Sequence, residues 1–292
     1  MKRDQSAQAY AIAAVLLWAT VASAFKVSLQ YLDVFQLLLY ASAVSLGTLF
    51  FISLFTGKLK TLTMFSKQDF LHSAVLGFFN PFLYYVLLFT AYSLLPAQQA
   101  QALNYTSPLM IVMLSIPLLK QRIGIRSLGA IVISFIGVFV ASTRGTIQSF
   151  NLTNAAGTII ALSSALIWAL FWVYNARDSR DEVPKLFLNF SFGFIFILIA
   201  TLLFSKPGVE FTGVLGAVYV GLFEMGITFI VWLKALQSAK TTAQVSQLLY
   251  LVPFLSLISI YFVVHETILP TTIIGLSLIV GGIMLQQLIK TA

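Results

Sequence analysis

The sequence predicts an all-α membrane protein whose ten transmembrane helices form two inverted repeats of five. Three observations support this fold class. Charged residues make up only 9% of the 292 residues and hydrophobic residues 59%, whereas a soluble domain carries about 25% charged residues. Ten apolar segments come close to the length of roughly 20 residues that a helix needs to cross the hydrocarbon core. The two halves of the chain also repeat the same short patterns.

Composition excludes several classes of function. The chain has no Cys and only two His, His72 and His265, so we expect no disulfide, no metal site and no resident cofactor. The net charge of +8 would suit a nucleic-acid-binding protein. The basic residues, however, lie mainly between spans on one side of the membrane, so we expect no nucleic-acid partner.

The predicted spans are the apolar segments that lie between short polar connections. No polar stretch reaches even about 20 residues, so we expect no soluble domain. The spans are 8–28, 33–55, 70–94, 97–118, 127–143, 154–176, 184–204, 211–237, 241–263 and 270–289.

The basic residues orient these spans. With the N-terminus in the cytoplasm, 13 of the 17 Lys and Arg residues fall on the cytoplasmic side and two fall outside. Cytoplasmic loops carry the excess of basic residues, so we predict that both termini are cytoplasmic. Lys2-Arg3, an apolar run and Ala22-Ser23-Ala24 imitate a cleavable signal peptide. The run is nearer the length of a span, so we expect it to be retained.

Short patterns recur at matching places in residues 1–146 and 147–292, which we predict to be the two repeats. Trp18-Ala19 in helix 1 matches Trp168-Ala169 in helix 6. A Gln–Tyr–Pro pattern that ends at Pro108 in helix 4 recurs in helix 9, where it ends at Pro253. Because each repeat holds an odd number of spans, the second is inverted. Inverted repeats are typical of secondary transporters, whose substrate site lies between the repeats near the membrane midplane.

On these residues the chain resembles the drug/metabolite transporter superfamily, specifically its EamA-type ten-helix branch. The resemblance also rests on Gly221-Leu222-Phe223, Phe229, Trp232 to Leu236 and Glu266, and it covers essentially the whole chain. It implies a central cavity lined by helices 1, 3, 4, 6, 8 and 9. It further implies the export of small metabolites, such as amino acids or related compounds, across a prokaryotic inner (plasma) membrane.

Glu224 lies near the centre of helix 8 and is the only acid well inside a predicted span. An ionised carboxylate at that depth is unfavourable by about 3 kcal/mol or more. Three roles would account for it: a proton- or cation-coupling group, a contact for a substrate amine, or a protonated carboxyl in a structural hydrogen bond. Intramembrane acids mark functional sites by default, so we predict substrate binding or coupling. In the family that this chain resembles, the position of Glu224 more often holds a small or neutral residue.

Further candidates for lining the cavity carry a polar group inside a span. They are Trp18, Asn80, Tyr84, Gln101, Tyr105, Trp168, Asn189, Gln244, Gln247 and Tyr250. The alternative for the amides is hydrogen bonding between helices, and for the aromatic residues it is packing in the core. Asn80-Pro81 and Pro253 remove backbone hydrogen bonds within spans, which predicts kinks.

Small residues at four-residue spacing predict close packing of helices 5 and 10, outside the cavity. They are Ala130 and Ser134 in helix 5, and Ser277 and Gly281 in helix 10. For His265-Glu266, after helix 9, we expect a solvated helix end.

The function that fits these features is secondary transport by alternating access. The partners would be a small-molecule substrate and the lipid bilayer, in a monomer or weak homodimer. A phosphate-binding G-x-x-x-x-G-K-[ST] loop is absent from the sequence, which argues against ATP-driven transport. An intramembrane enzyme is less well supported, because the sequence has no His-Glu-x-x-His motif and no second intramembrane carboxylate. A facilitative, channel-like uniporter remains the alternative.

Overall fold

The apolar segments of the sequence form helices in the structure. The computed structural model describes residues 2–119, 125–143, 152–175, 177–206, 208, 210–238 and 247–291. Within these residues every regular element is helical, and six helical stretches are long and apolar enough to cross a membrane. Shorter apolar helices lie at Gly129–Ala141, Leu248–Val264 and Pro270–Leu285. The predicted all-helical membrane fold is confirmed.

The helices fall within or close to the predicted spans, some of which are divided into shorter helices. In chain order the helices are α1 (Lys2–Ser28), α2 (Val34–Phe55), α3 (Lys67–Gly77), α4 (Tyr84–Leu94), α5 (Ala97–Asn104), α6 (Ser107–Leu119), α7 (Ile125–Thr143), α8 (Leu152–Asn175), α9 (Glu182–Phe204), α10 (Phe211–Phe223), α11 (Ile227–Ser238), α12 (Val252–Ser259) and α13 (Pro270–Thr291). Short 3-10 segments lie at Lys58–Met64 and Gln247–Leu251, and π-helical segments at Phe78–Leu83 and Ile260–Val264.

The chain divides into two compact units. Unit 1 contains Met1–Val86 with Ser179–Val264, and unit 2 contains Leu87–Asp178 with His265–Ala292. In unit 1, α1 packs on α10, α11 and α12, while α9 packs on α2 and α3. In unit 2, α7 packs on α13, and α8 packs on α5 and α6. Each unit therefore draws helices from both predicted repeats, whose boundary near residue 146 stays a prediction.

Several predicted spans are interrupted. The third has non-helical backbone at Asn80, with φ −146° and ψ 118°, so the predicted kink before Pro81 is confirmed. The fourth is divided between α5 and α6, and the ninth passes from a 3-10 segment into α12. Pro108 and Pro253 lie in the first turns of α6 and α12, where a missing N–H removes no intrahelical bond. The prediction that Pro253 removes a helical hydrogen bond within its span was therefore wrong.

Close packing of α7 on α13 is confirmed, but not by all of the predicted residues. Ala130 and Ser134 of α7 are fully buried, and the Ser134 hydroxyl donates to the Ile279 carbonyl over 3.2 Å. On α13, however, Ser277 and Gly281 are exposed. The residues that face α7 are instead Gly275 and Gly282, where an added Cβ would lie 2.7 Å from the carbonyls of Gly137 and Ala130. The prediction for Ser277 and Gly281 was wrong because it extended a spacing without fixing the face of the helix.

Candidate functional site

The eighth predicted span is broken at Glu224. Helix α10 ends at Phe223, α11 begins at Ile227, and the intervening residues 224–226 form a turn. The Glu224 amide still donates to the Val220 carbonyl over 2.8 Å. The carboxylate therefore lies where the helical ladder ends, within a stretch (Phe211–Trp232) long and apolar enough to cross a membrane.

Neighbouring polar groups support this turn. The buried Ser45 hydroxyl on α2 donates to the Met225 carbonyl over 3.0 Å. The Thr228 hydroxyl donates to the Phe223 carbonyl. At Gly226 a Cβ would lie 2.8 Å from the Gly221 carbonyl oxygen, so only glycine fits without a shift. In apolar surroundings a carbonyl that leaves the ladder needs such a donor, and these residues show that the break is a built feature.

Glu224 has a partner from a second interrupted span. The fully buried Tyr85 on α4 donates its hydroxyl to Glu224 Oε1 over 3.2 Å. The ring of Tyr84 packs edge-on against Tyr85, with 4.6 Å between the ring centroids. Tyr84 and Tyr85 follow the interruption at Asn80 by about one turn. Within unit 1, the two breaks are thus joined through one phenol–carboxyl hydrogen bond.

Aromatic side chains flank this part of unit 1. Trp18 of α1 packs edge-on against Phe229 and at a tilt against Trp232, with ring centroids 6.0 and 5.8 Å apart. The Thr20 and Tyr219 hydroxyls are 2.6 Å apart and share a hydrogen bond. The Tyr219 ring lies 4.7 Å from that of Phe223, the residue before the break. Trp18 thus packs on the half-helix that follows Glu224.

Asn80 and Asn189 are also placed in unit 1, and both are buried. Their exposed fractions are 1% and 0%. Neither side-chain oxygen nor nitrogen of either residue has a hydrogen-bond partner among the described residues. Buried amides are normally bonded to protein or to ordered water, so both positions call for an explanation.

Three of the predicted residues lie in unit 2. Gln101 accepts a hydrogen bond from the Tyr92 hydroxyl over 2.6 Å. Trp168 packs on Trp172 with ring centroids 5.8 Å apart, and Tyr105 is partly buried after the end of α5. The neighbouring Asn104 donates to the Ser164 hydroxyl over 3.0 Å. Five of the other predicted residues, Trp18, Asn80, Tyr84, Asn189 and Glu224, lie in unit 1.

The remaining candidates belong to the ninth predicted span, 241–263. Gln244 lies outside the described residues, and Gln247 opens the 3-10 segment Gln247–Leu251. Tyr250 follows in that segment and is buried.

Glu266 has a role that differs from the expected solvated end. Its carboxylate accepts hydrogen bonds from the amides of Ala97 and Gln98 over 2.7 and 3.2 Å, and so caps the N-terminus of α5. The Gln98 side chain completes the connection by donating to the Thr267 carbonyl over 2.9 Å and accepting from the Thr272 hydroxyl over 2.8 Å. Glu266 is thus a structural residue of unit 2.

No metal site is evident in the part of the chain that the structure describes, since no group of three or more His, Asp or Glu residues there could hold an ion. Among the residues that the structure describes, Glu224 is the acid within a predicted span, and Tyr85 is its hydrogen-bond donor.

Comparison with known proteins gives a consistent result. A model of the EamA-like transporter family matches residues 5–143 and, a second time, residues 155–286. An uncharacterized transporter of Archaeoglobus fulgidus is 26% identical over 281 residues, which is 93% of each chain. The uncharacterized transporter YvbV of Bacillus subtilis is 24% identical over 70% of this chain and 68% of its own.

Two further similarities extend this result. The uncharacterized transporter YyaM of Bacillus subtilis is 26% identical over 72% of this chain and 70% of its own. A protein of known crystal structure, 21% identical, superposes with a TM-score of 0.69 over 98% of this chain and 99% of its own, and so shares its fold.

Proposed function

Since the chain belongs to the EamA-like transporter family, within the drug/metabolite transporter superfamily, and is a multi-pass membrane transporter rather than an enzyme, we propose that it is a secondary transporter. It exports small amphiphilic or cationic metabolites, such as amino acids or related compounds, by alternating access, and transport is linked to protons through Glu224. The observation that carries the proposal is the Glu224 carboxyl at a helix break, bonded to Tyr85 of a second broken span.

A helix break suits both binding and movement. Discontinuous helices place half-helix ends and backbone carbonyls at transporter substrate and ion sites. Residues 224–226 separate α10 from α11, so the two half-helices can change their angle through a few backbone dihedrals. Ser45 and Thr228 bond to carbonyls at this break, and they limit what such a movement leaves unpaired.

The chemistry of Glu224 supports proton linkage. A carboxylate can accept a hydrogen bond from the Tyr85 hydroxyl, bind a substrate amine, or take up a proton. A proton and a cationic substrate then compete for the same oxygens. In this scheme protonation releases a cationic substrate on one side of the membrane, and deprotonation allows the next to bind.

The aromatic residues support an amphiphilic or cationic substrate. Trp18 packs with Phe229 and Trp232 next to the Glu224 half-helix. A cation over the face of an aromatic ring gains about 0.5–2 kcal/mol, and the rings also accept apolar surface. In this proposal the aromatic residues bind the body of the substrate, and Glu224 binds its charged group.

The orientation of the chain in the membrane is part of the same proposal. The distribution of basic residues, 13 against two, supports cytoplasmic termini by the positive-inside rule. We place the protein in a prokaryotic inner membrane, where the family resemblance leads us to expect export.

The first test is to identify a substrate and then measure counterflow. Purified protein is screened for thermal stabilisation by amino acids, nucleosides, polyamines and cationic drugs, because a ligand of the native state raises its melting temperature. The stabilising compound is then used in proteoliposomes loaded with the same compound. A carrier shows uptake of tracer accelerated by trans substrate. Flux without that acceleration would indicate a channel-like uniporter, and chemical conversion of the compound would indicate an enzyme; either result contradicts the proposal.

A further inference from the structure

Buried polar groups without protein partners follow one interhelical contact in unit 1. Ser73 on α3, Asn80 in the π-helical segment and Asn189 on α9 are at most 1% exposed. The Ser73 hydroxyl and all four amide atoms of the two Asn side chains lack hydrogen-bond partners among the described residues. We call this contact, lined by Ser73, Asn80 and Asn189, the α3–α9 seam.

Close backbone packing defines how the seam is arranged. A Cβ at Gly77 would meet the Asn189 carbonyl and lie 2.8 Å from the Gly193 nitrogen. A Cβ at Gly193 would meet the Pro81 ring and lie 2.9 Å from the Gly77 carbonyl oxygen. The helices therefore run side by side, with Gly77 at the level of Asn189 and Pro81 at the level of Gly193.

This register places the three polar residues in a row. Ser73 lies one turn before Gly77 on the same face of α3, and Asn80 directly precedes Pro81. Between Ser73 and Asn80 the row extends for about 10 Å along the helices. Asn189, packed at Gly77, lies between them.

The polar side-chain atoms that lack hydrogen-bond partners indicate what the seam binds. Each Asn presents one acceptor oxygen and one donor nitrogen, and the ligand must therefore both donate and accept. A monovalent cation would bind the two amide oxygens and leave both amide nitrogens without an acceptor. Water meets both needs, is small enough for a site without exposure, and commonly bonds to otherwise unsatisfied buried polar groups.

We propose that the α3–α9 seam holds a row of buried water molecules that conducts protons between the end of unit 1 where α3 and α9 begin and the Tyr85–Glu224 pair. At its inner end the route continues to Tyr85, five residues after Asn80 on the same span, whose hydroxyl donates to Glu224 Oε1 over 3.2 Å. The opposite end of the route, where α3 and α9 begin, is called its outer end. The partly exposed Lys58 and Asp181 lie there.

Other titratable and charged groups lie on or next to the helices around this route. They are Lys67, Asp69 and His72 on α3, Tyr92 on α4, Glu182 and Lys185 on α9, Tyr40 on α2, Tyr219 on α10, Lys234 on α11, Lys2, Arg3, Asp4, Tyr10 and Lys26 on α1, Lys60 in the 3-10 segment Lys58–Met64, and Arg180 just before α9. Lys185, fully buried, bonds to Glu182 over 3.0 Å, one turn before Asn189. The Glu182 carboxylate offsets the charge of the Lys185 ammonium, so the pair adds no net charge beside the seam.

The step is a proton relay that needs no other reactant. Bulk water supplies a proton at the outer end, and at each hop one O–H bond forms on the acceptor water as another breaks on the same molecule. In the last hop Tyr85 takes a proton from the nearest water while its own hydroxyl proton passes to Glu224, so that the O–H bond of the Glu224 carboxyl forms. This inference rests on the proposed function, in which Glu224 gains and loses a proton.

The test follows deuterium into the Glu224 carboxyl. Full-length protein in liposomes is moved from H₂O to D₂O at acidic pH, and the infrared C=O stretch of the protonated carboxyl is recorded over time. The band removed by Glu224→Gln belongs to Glu224. Replacing Asn189 by Leu, of similar size but apolar, is expected to slow the deuterium shift of this band about tenfold, the effect of a barrier raised by about 1.4 kcal/mol. Asn189→Ser keeps a polar group and is expected to stay near the wild-type rate.

A matched pair of serine variants keeps the test valid if Asn189→Leu does not fold. Ser73→Ala removes an unpartnered hydroxyl of the seam and is expected to slow exchange. Ser191→Ala removes a hydroxyl that already donates to the Phe187 carbonyl over 2.8 Å on the same helix as Asn189, and is expected to leave the rate unchanged.

Each contrary outcome has a distinct meaning. Wild-type exchange rates in both Asn189→Leu and Ser73→Ala, with the Glu224 band present, would overturn the water route and leave the proposed function standing. Absence of any band that Glu224→Gln removes would contradict the proton linkage itself, and with it the water route. An exchange rate that depends on NaCl against choline chloride would show a cation in the seam and overturn the assignment to water.

Discussion

Tyr85 and Glu224 are 139 positions apart and meet through a hydrogen bond of 3.2 Å from phenol to carboxyl oxygen. Tyr85 lies just after the interruption of its span at Asn80, and Glu224 lies at the interruption of its own span. The bond therefore couples two places where the backbone departs from the helical ladder.

The Tyr85–Glu224 bond predicts energetic coupling between the two side chains. A hydrogen bond contributes about 0.5–1.5 kcal/mol net, and about 1.5–3 kcal/mol to a charged group. In a double-mutant cycle, Tyr85→Phe and Glu224→Leu, each of which removes the bond, are expected to be non-additive by about 1 kcal/mol or more. Unfolding in mixed detergent micelles measures the four free energies. Tyr84→Phe with Glu224→Leu is the control cycle, and equal coupling in both cycles would contradict a specific Tyr85–Glu224 bond.

Close packing of Gly193 predicts a loss of stability when it is enlarged. Because a Cβ there would meet Pro81 and the Gly77 carbonyl, we expect Gly193→Ala to lower the free energy of unfolding by about 1–3 kcal/mol. Gly47→Ala, on α2 of the same unit, is the control, since nothing lies within 4 Å of an added Cβ. It is expected to be neutral or stabilising by about 0.5–1 kcal/mol. Equal effects at the two positions would show that α3 and α9 are not in close contact.

The Glu266 cap predicts local protection of α5. Glu266→Ala removes both bonds to the amides of Ala97 and Gln98, and we expect the free energy of unfolding to fall by about 1–2 kcal/mol. Glu266→Gln keeps an acceptor oxygen and should lose less. Hydrogen exchange at residues 97 and 98 provides the local measurement. The first turn of α2, capped by Asp33, is the internal reference. Unchanged exchange at 97 and 98 in Glu266→Ala would rule out the cap.

The Lys58–Asp181 ion pair predicts a small stabilisation that depends on pH. Partial burial would raise the pKa of Asp181, but hydrogen bonds from Lys58 and the Val183 amide outweigh it and hold the pKa below 3.8. A lowered pKa stabilises the fold at pH values above 3.8, and this contribution is lost as the pH falls through the lowered value.

The variant Lys58→Met measures this contribution. Both side chains are well exposed, at 38% and 41%, so near neutral pH the loss is expected to stay below about 1 kcal/mol because solvent screens the pair. The difference from wild type should shrink on acidification and in high salt. A difference that persists at acidic pH would show that the effect does not come from the ion pair.

Much of the fold could be predicted from the sequence because composition and segment length determine it. A chain with 9% charged residues must bury its helices in lipid, and helix bounds follow where apolar segments stop. The kink at Asn80 was also predictable, since Pro81 cannot donate a backbone hydrogen bond. The break at Glu224 was not, because no proline marks it. Its signals are Gly226 and the donors Ser45 and Thr228, which are ordinary residues until the fold brings them together.

The candidate site was predicted only in part, for a similar reason. Glu224 could be found because an acid inside an apolar segment is costly. Its partner could not be selected, because Tyr84 and Tyr85 are adjacent and only the helix rotation decides which hydroxyl meets the carboxyl. Asn104 and Gln101 have the same polarity as Asn80 and Asn189, yet they bond to Ser164 and Tyr92. Whether a buried amide is satisfied depends on neighbours that are distant in sequence.

The central claim is that Glu224 links transport to protons, and Glu224→Gln tests it most directly. Counterflow and pH-driven uptake of the compound found by the stabilisation screen are measured in proteoliposomes over a range of pH, for wild type and Glu224→Gln, with unfolding checked in parallel. We predict folded protein whose remaining transport no longer responds to pH. A variant that keeps the wild-type pH dependence would contradict the claim.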